Sequence, residues 1–356
     1  MPRNVKGLKE RLKNGETILI AEGYLFVFER RGYLQAGAFV PEVIIEHPEL
    51  VKEQHREFVH AGSDVVLAFT YYAHRKKMQV IEKEAELEKI NREALRIAKE
   101  VADESGKLLA GNICNTGVYE PGNQESYAKT KAIFKEQIEW ALDYDVDFIL
   151  AETFITLGEA KLALEAIQEY GKGVPSVVTT FITAGNTIDG EVTTLDGFTL
   201  PDACKQLEDA GADVVGMNCC RGPDTMLPIM EKVRAVCKGH LAAVPVPYRT
   251  TPSEPTYFNF VDPKDNGKMC FPTNMDFKFC NRSDMFDFGK RCQEIGINFV
   301  GICCGNSAHL TRALAESYGR TPPASRYSAK MENHVNYGTN PCLVKYYNSK
   351  QTQKQL

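Results

Sequence analysis

The chain has 356 residues, 25% of them charged, 43% hydrophobic and 10% aromatic, which excludes a disordered, collagenous or coiled-coil protein. Its 42 Lys and Arg against 47 Asp and Glu leave a net charge of −5, with no cationic footprint for nucleic acid or an anionic membrane. No apolar run reaches the roughly 18 residues of a membrane span, and the first residues, Met1 to Lys9, lack the apolar core of a secretory signal, so a cytoplasmic protein is expected. The 11 cysteines are too few for a disulfide scaffold. Inside a cell most of them should be small buried apolar residues, with a metal or catalytic role for a few.

In chain order, strand-length apolar runs alternate with helix-length amphipathic stretches. The first run, 17–21, closes in Ala21-Glu22-Gly23-Tyr24. A helix over 48–61 leads to the run 64–70, which ends in Phe69-Thr70-Tyr71-Tyr72. A stretch rich in Glu, Lys, Ala and Leu predicts one helix over 79–105, then a strand over 107–113 running into Cys114-Asn115. A helix over 126–144, on the outer layer and with Trp140 as packing, precedes a strand over 147–152, ending in Ala151-Glu152-Thr153. Helix 157–170, strand 175–180 and helix 200–210 follow. The strand 213–218 ends in Asn218-Cys219-Cys220. After helix 225–237 and strand 240–246 comes a long aromatic, Pro- and Asn-rich segment, 248–284. Its length and composition suit a lid. Helix 285–295, strand 298–303, ending in Cys303-Cys304-Gly305, and helix 307–318 complete the pattern.

Most of these runs are continuously apolar, the mark of parallel strands covered on both faces by helices. One junction recurs. His60-Ala61-Gly62-Ser63-Asp64-Val65-Val66 matches Asp209-Ala210-Gly211-Ala212-Asp213-Val214-Val215, and weaker copies lie at Gly296-Ile297-Asn298-Phe299-Val300 and Asp145-Val146-Asp147-Phe148-Ile149. Each reads as a helix end, a left-handed cap and a buried strand. Eight such strands, with no Gly-x-Gly-x-x-Gly after the first, predict a (β/α)8 TIM-type barrel over 1–320 with a short tail, 321–356. A doubly wound sheet is the alternative.

In a barrel the chemistry belongs at the carboxyl ends of the strands. Both Cys-Cys pairs fall there, two strands apart on one rim. Clustered thiolates suit zinc, which takes sulfur ligands in tetrahedral geometry. Three ligands leave a position for substrate, and four close the site. Adjacent residues of a strand point to opposite faces, so both members of a pair ligate only where the strand breaks, as Gly305 allows. Cys220 is read as a spectator, and Cys204, Cys237, Cys270, Cys280, Cys292 and Cys342 as packing. Two other readings stay open here: a hydrolase working through a metal-bound water, and a redox protein with vicinal disulfides.

Gly216-Met217-Asn218-Cys219 followed by Gly301-Ile302-Cys303-Cys304-Gly305 resembles the zinc signature of the homocysteine S-methyltransferase family. The similarity runs from about residue 7 to 326 and is nearest to the branch that uses betaine. It includes Glu29-Arg30-Arg31-Gly32-Tyr33, Glu46-His47-Pro48-Glu49, His55-Arg56-Glu57-Phe58 and Pro322-Pro323-Ala324-Ser325. The resemblance implies Cys219, Cys303 and Cys304 as ligands of Zn2+, with the homocysteine sulfur at the fourth position. It implies Glu152, and with it Glu22 and Gly23, as the homocysteine site. For the donor it points to Phe39, Tyr71, Tyr72 and Asp276, since a quaternary cation binds ring faces. Phe39, Val40 and Thr153 stand where the betaine branch has Trp, Thr and Tyr, and Asp276 where it has Glu. The activity implied is methyl transfer from betaine to L-homocysteine, giving methionine and dimethylglycine. The alternative donor is S-methylmethionine or a dimethylsulfonio acid. Small molecules are the expected partners. Relatives carry a longer C-terminal extension for subunit association, so any homo-oligomer here is expected on other surfaces.

Overall fold

In the computed structural model, which describes residues 5–183, 187–188, 190–265, 267–334 and 338–342, the apolar runs become eight parallel strands. They are β1 (Ile18–Ala21), β2 (Val65–Leu67), β3 (Leu108–Cys114), β4 (Phe148–Phe154), β5 (Ser176–Thr180), β6 (Val214–Asn218), β7 (His240–Val244) and β8 (Phe299–Ile302). Their order in the sheet is β1-β8-β7-β6-β5-β4-β3-β2, which is a barrel opened at one seam and excludes the doubly wound alternative. Around it lie α1 (Pro48–Ala61), α2 (Leu87–Ser105), α3 (Gln124–Leu142), α4 (Leu157–Tyr170), α5 (Leu200–Asp209), α6 (Pro223–Val236), α7 (Arg282–Ile295) and α8 (Ala308–Ser317). Among the described residues no helix is long and apolar enough to cross a membrane.

Alternation along each strand explains the continuous apolar runs. Ile18, Ile20, Val65, Leu67, Leu108, Phe148, Val214 and Phe299 pack in one buried cluster. Their neighbours Leu19, Val66, Leu109, Ile149, Val215 and Val300 pack in a second cluster with the helices. Both faces are therefore apolar, as parallel strands in a barrel require.

The repeated junction has a geometric cause beyond a helix cap. Asp64, Asp147 and Asp213 immediately precede β2, β4 and β6. Their carboxylates accept the N–H of Leu19, Leu109 and Ser176 in the preceding strands, at 2.9, 2.7 and 2.9 Å. Asn298 takes the same place before β8 and bonds the His240 ring at 2.7 Å. At Asp64 the device closes the barrel. β1 and β2 share no ladder, but the Asp64 N–H donates to the Leu19 carbonyl at 2.7 Å. The buried Asp64 carboxylate also meets Arg320 at 2.5 Å and Arg11 at 3.2 Å. Burial pushes this carboxyl up, but Arg320 and then Arg11 outweigh it and hold it below the usual range.

Some boundaries differ from expectation. The helix expected over 79–105 is broken into Arg75–Val80, a turn at Glu84–Glu86 and α2, because Glu82 adopts a left-handed φ of 59°. Short helices at Leu8–Lys13, Tyr24–Arg30 and Val43–Glu46 were not expected. The polar tail end, 350–356, lies outside the described residues.

Asp64→Asn should lower the free energy of unfolding by about 3 kcal/mol, since it removes the buried charge that Arg320 and Arg11 face. Urea unfolding at pH 7 measures this. The stabilisation from Asp64 is present above the unfolded carboxylate range and disappears as pH falls through the lower folded value, so wild type and variant should converge in acid. A second loss starts nearer neutrality. His55 is buried over the Phe69 ring, 4.0 Å between centroids, and burial pushes its pKa down to about 3. The neutral form is favoured in the fold, so its stability is complete above about pH 6.5 and falls below it. The loss reaches about 2 kcal/mol at pH 5. His55→Phe should flatten the stability curve between pH 6.5 and 4.

Candidate metal centre and active site

The C-terminal ends of the strands converge on one narrow cavity, about 30 Å³, walled by Glu22, Gly23, Tyr24, Tyr71, Glu152, Thr153 and the thiols of Cys219, Cys303 and Cys304. The three sulfurs lie within 4.8 Å of one another, with Cys303 and Cys304 at 3.9 Å. They meet because both chains leave the strand conformation. β8 stops at Ile302, and Gly305 turns at φ 96° under Tyr248, whose hydroxyl would lie 2.6 Å from an added Cβ. At the end of β6, Cys219 and Cys220 sit at φ 62° and 47°. There the pair separates. Cys220 turns away and donates to the Ile182 carbonyl at 3.0 Å, as the spectator reading expected. Cys204, Cys237, Cys270, Cys280 and Cys292 are buried elsewhere and Cys342 is exposed.

The sulfurs are electrostatically linked. Burial pushes the Cys219 thiol up, but hydrogen bonds from Cys303, Cys304 and Tyr257 outweigh it and hold it well below the usual thiol value. Cys303 and Cys304 are pushed up by sharing a proton with Cys219. Without a cation the trio thus favours a single thiolate.

Two carboxylates flank the sulfurs. Glu152 is fixed from both sides, accepting Asn112 Nδ2 at 2.7 Å and Asn218 Nδ2 at 3.0 Å. Glu22 stands opposite, 2% exposed, and neither of its oxygens finds an N–H or O–H donor among the described residues. Ligand atoms of Glu22, Glu152 and Cys303 also lie within 4.8 Å of one another. Burial pushes Glu152 up to about 7, and burial together with the Glu152 charge pushes Glu22 well above its usual value. The neighbouring Gly23 tolerates no side chain: a Cβ would lie 2.3 Å from the Cys303 carbonyl oxygen.

Of the residues expected around a donor, Tyr71 lines the cavity and Tyr72 packs on it, 4.3 Å between ring centroids. Phe39 does not reach the cavity wall. It stacks on Phe26 at 5.6 Å and, with Val40, lines a separate groove. Asp276 is 78% exposed and paired with Arg30 at 2.9 Å. Thr153 stands at the wall, held at φ 64° by Asn218, which accepts its N–H at 2.9 Å and donates to its hydroxyl at 2.7 Å.

Sequence reasoning missed three site residues. Tyr257, from the segment 248–284, brings its hydroxyl to 3.3 Å from Cys219 Sγ. It packs with Phe26, Phe258 and Phe271. Nothing marks it among that segment's other aromatics. Asn112 and Asn218 did carry a signal, since an amide inside a continuous apolar run must find a partner.

The homocysteine S-methyltransferase family model matches residues 26–318. A betaine–homocysteine S-methyltransferase of Xenopus tropicalis is 33% identical over 347 residues, 94% of this chain and 80% of that protein. An S-methylmethionine–homocysteine S-methyltransferase of Pongo abelii is 33% identical over 347 residues, covering 95% and 88%. Among solved structures, the metallated form of the Escherichia coli homocysteine methyltransferase MmuM superposes with a TM-score of 0.63 at 18% identity. It covers 86% of this chain and 98% of that one, a likeness of fold. Because the family match runs without a break from the helix after β1, through both cysteine pairs, to the end of α8, the chain belongs to the homocysteine S-methyltransferase family.

Proposed function

We propose that the protein transfers a methyl group from betaine to L-homocysteine, giving methionine and dimethylglycine, with Zn2+ held by Cys219, Cys303 and Cys304. The observation that carries this reading is the juxtaposition of three sulfurs with a buried carboxylate pair. The donor set fits the ion: tetrahedral bonds of 2.3 Å would place sulfurs about 3.8 Å apart, against 3.9 Å for Cys303 and Cys304. Zinc, when bound, would supply a Lewis acid that keeps a substrate thiol deprotonated at neutral pH.

The remaining work falls to the chain's own side chains. Glu152, oriented by Asn112 and Asn218, and Glu22 take the ammonium of homocysteine. The raised carboxyl pKa values support this, because a site that retains a proton without substrate is short of one positive charge. Gly23 lets the substrate lie against the Cys303 backbone. The homocysteine sulfur attacks the donor methyl in line with the leaving nitrogen: the C–S bond forms as the C–N bond breaks, and the electron pair leaves on a neutral amine. The onium charge supplies the leaving group, so no protein nucleophile or general acid is needed. Tyr71 and Tyr72 offer ring faces to the onium, and the segment 248–284 excludes water above it. The activity resides in 1–320, with 321–356 as an accessory tail.

A second reading keeps the acceptor and changes the donor to S-methylmethionine or a dimethylsulfonio acid. Two observations favour it: relatives named for either donor are equally similar at 33%, and Thr153 adds no ring to the wall beside Tyr24 and Tyr71.

A donor panel with homocysteine and zinc-loaded protein, read as methionine, separates them. Betaine should turn over; transfer from S-methylmethionine alone would move the assignment to the second reading. Wild type should hold about one zinc per chain and Cys303→Ala almost none, measured by atomic emission, and loss of the ion should begin as pH falls and protons compete for the thiolates. Glu152→Gln should raise the homocysteine KM roughly 10- to 100-fold, the order expected for a buried charge-assisted contact, while leaving zinc content unchanged. Equal zinc loss in Glu152→Gln would argue that the carboxylate serves the metal instead.

A further inference from the structure

Three basic side chains from the segments after β1 and β2 are neutralised by acids, while Arg31 bonds Gln54 at 3.4 Å and Lys76 is exposed. Arg30 pairs with Asp276 at 2.9 Å, Arg75 with Glu136 at 2.6 Å and also with Glu84, and Lys83 with Glu42. Lys77, on the helix Arg75–Val80, differs. Its ammonium sits 3.9 Å from the centroid of the Tyr72 ring. No carboxylate among the described residues pairs with it, and the charged form is disfavoured by burial, with only the Cys114 thiol acting the other way. A half-buried ammonium with a ring in place of a counter-ion is an anion site lacking its anion.

Its position gives that site a direction. Tyr72 packs on Tyr71 at 4.3 Å, and Tyr71 shares the cavity wall with Cys219, Cys303 and Cys304. The rim therefore runs from ammonium to ring, to second ring, to thiols. A face of Tyr72 is already taken by a cation. A bare onium arriving beside it meets like charge, whereas an onium carrying a carboxylate exchanges that repulsion for an ion pair. Only one orientation along the rim then suits a zwitterion: carboxylate at Lys77, cationic methyl over Tyr71 and toward the sulfurs.

We propose that Lys77 is the specificity-determining residue for the methyl donor. It pairs with a carboxylate on the donor and so selects zwitterionic over purely cationic onium compounds. The inference rests on the reading that an onium donor is used, and it deepens that reading by fixing which end of the donor is recognised and where.

The test compares wild type, Lys77→Arg and Lys77→Met in the zinc-loaded full chain at saturating homocysteine. Betaine is the donor, and tetramethylammonium, which lacks a carboxylate, is the competitive inhibitor. Lys77→Met should raise the betaine KM roughly 10- to 100-fold, as loss of a charged hydrogen bond predicts. It should change kcat by less than about 3-fold and leave the homocysteine KM unaltered, and tetramethylammonium should inhibit it as well or better. Lys77→Arg, which keeps the charge, should stay near wild type. Equal weakening of betaine and tetramethylammonium, or an unchanged betaine KM in Lys77→Met, would overturn the proposal. Calorimetric titration with betaine keeps the two ideas apart. Wild type that binds betaine without transferring methyl defeats the transfer reading, while the Lys77→Met affinity ratio still decides this one. Wild type that does not bind betaine defeats the Lys77 proposal.

Discussion

The Asp64 carboxylate sits where the two ends of the sheet meet, bonded to the Leu19 N–H and paired with Arg320 and Arg11. Arg320 follows α8 and also donates to the Thr17 carbonyl, so one guanidinium ties the end of the barrel to its beginning. The active site depends on this closure. Glu22 and Gly23 leave β1, Glu152 leaves β4, and the sulfurs leave β6 and β8. Gly23 lies against the Cys303 backbone so closely that no Cβ fits between them. A slack seam between β1 and β2 would move Glu22 relative to Cys303 before it disturbed any sulfur. A buried ion pair is weak evidence for stability in general. Here its geometric role is clearer than its energetic one, because it stands in for a missing strand ladder.

Inside the closed ring the polar groups are unbalanced in one direction. Three thiols and two carboxylates face a cavity whose described walls include no basic side chain. Ionising them together without a cation is prohibitively costly at this burial, so the site holds protons: Glu152 is pushed up to about 7 and the sulfurs favour one thiolate. That pattern reads as a request for two positive charges at separate points, one beside the sulfurs and one beside the carboxylates. A metal ion and an amino-acid ammonium answer it without rearranging the fold, since Asn112 and Asn218 already aim Glu152. Lys77 beyond is separated from this negative pocket by two tyrosine rings.

The fold was legible because strand burial on both faces leaves continuous apolar runs, and because the αβ junction repeats. The repeat was read as a glycine cap, and its second meaning stayed hidden. The Asp in Gly-x-Asp is there for an N–H of the preceding strand, a partner that only the barrel brings near. The cysteine pairs were legible as chemistry because they close strands; Cys220 turns away as alternation would have it, but through left-handed φ at both residues beyond the end of β6. The break at Glu82 was not legible, since no Gly or Pro marks it. The loop residues were the least legible. Phe39, Asp276 and Tyr257 lie in segments whose path is set by aromatic packing among Phe26, Phe258 and Phe271, which spacing in sequence does not encode. Of these, the one that touches the sulfurs is the one that went unnoticed.

The same rim concentrates backbone strain. Tyr72, Thr153, Cys219 and Cys220 adopt left-handed φ values of 62°, 64°, 62° and 47°, a conformation that costs non-glycine residues about 1–3 kcal/mol each. For Thr153, β-branched, the cost is greatest. Such residues persist only where neighbours over-determine them. At Thr153 the neighbour is Asn218, whose amide binds both its N–H and its hydroxyl and with a further bond holds Glu152. One side chain therefore maintains the strained turn and aims the carboxylate. It also stands next to Cys219, whose own strained φ turns its thiol toward Cys303 and Cys304. A glycine at Thr153 or Cys219 would relieve the strain and remove a side chain that walls the cavity. At Cys219 and Thr153 the strain is the cost of turning a thiol and a hydroxyl inward at strand ends where a relaxed chain would point them elsewhere.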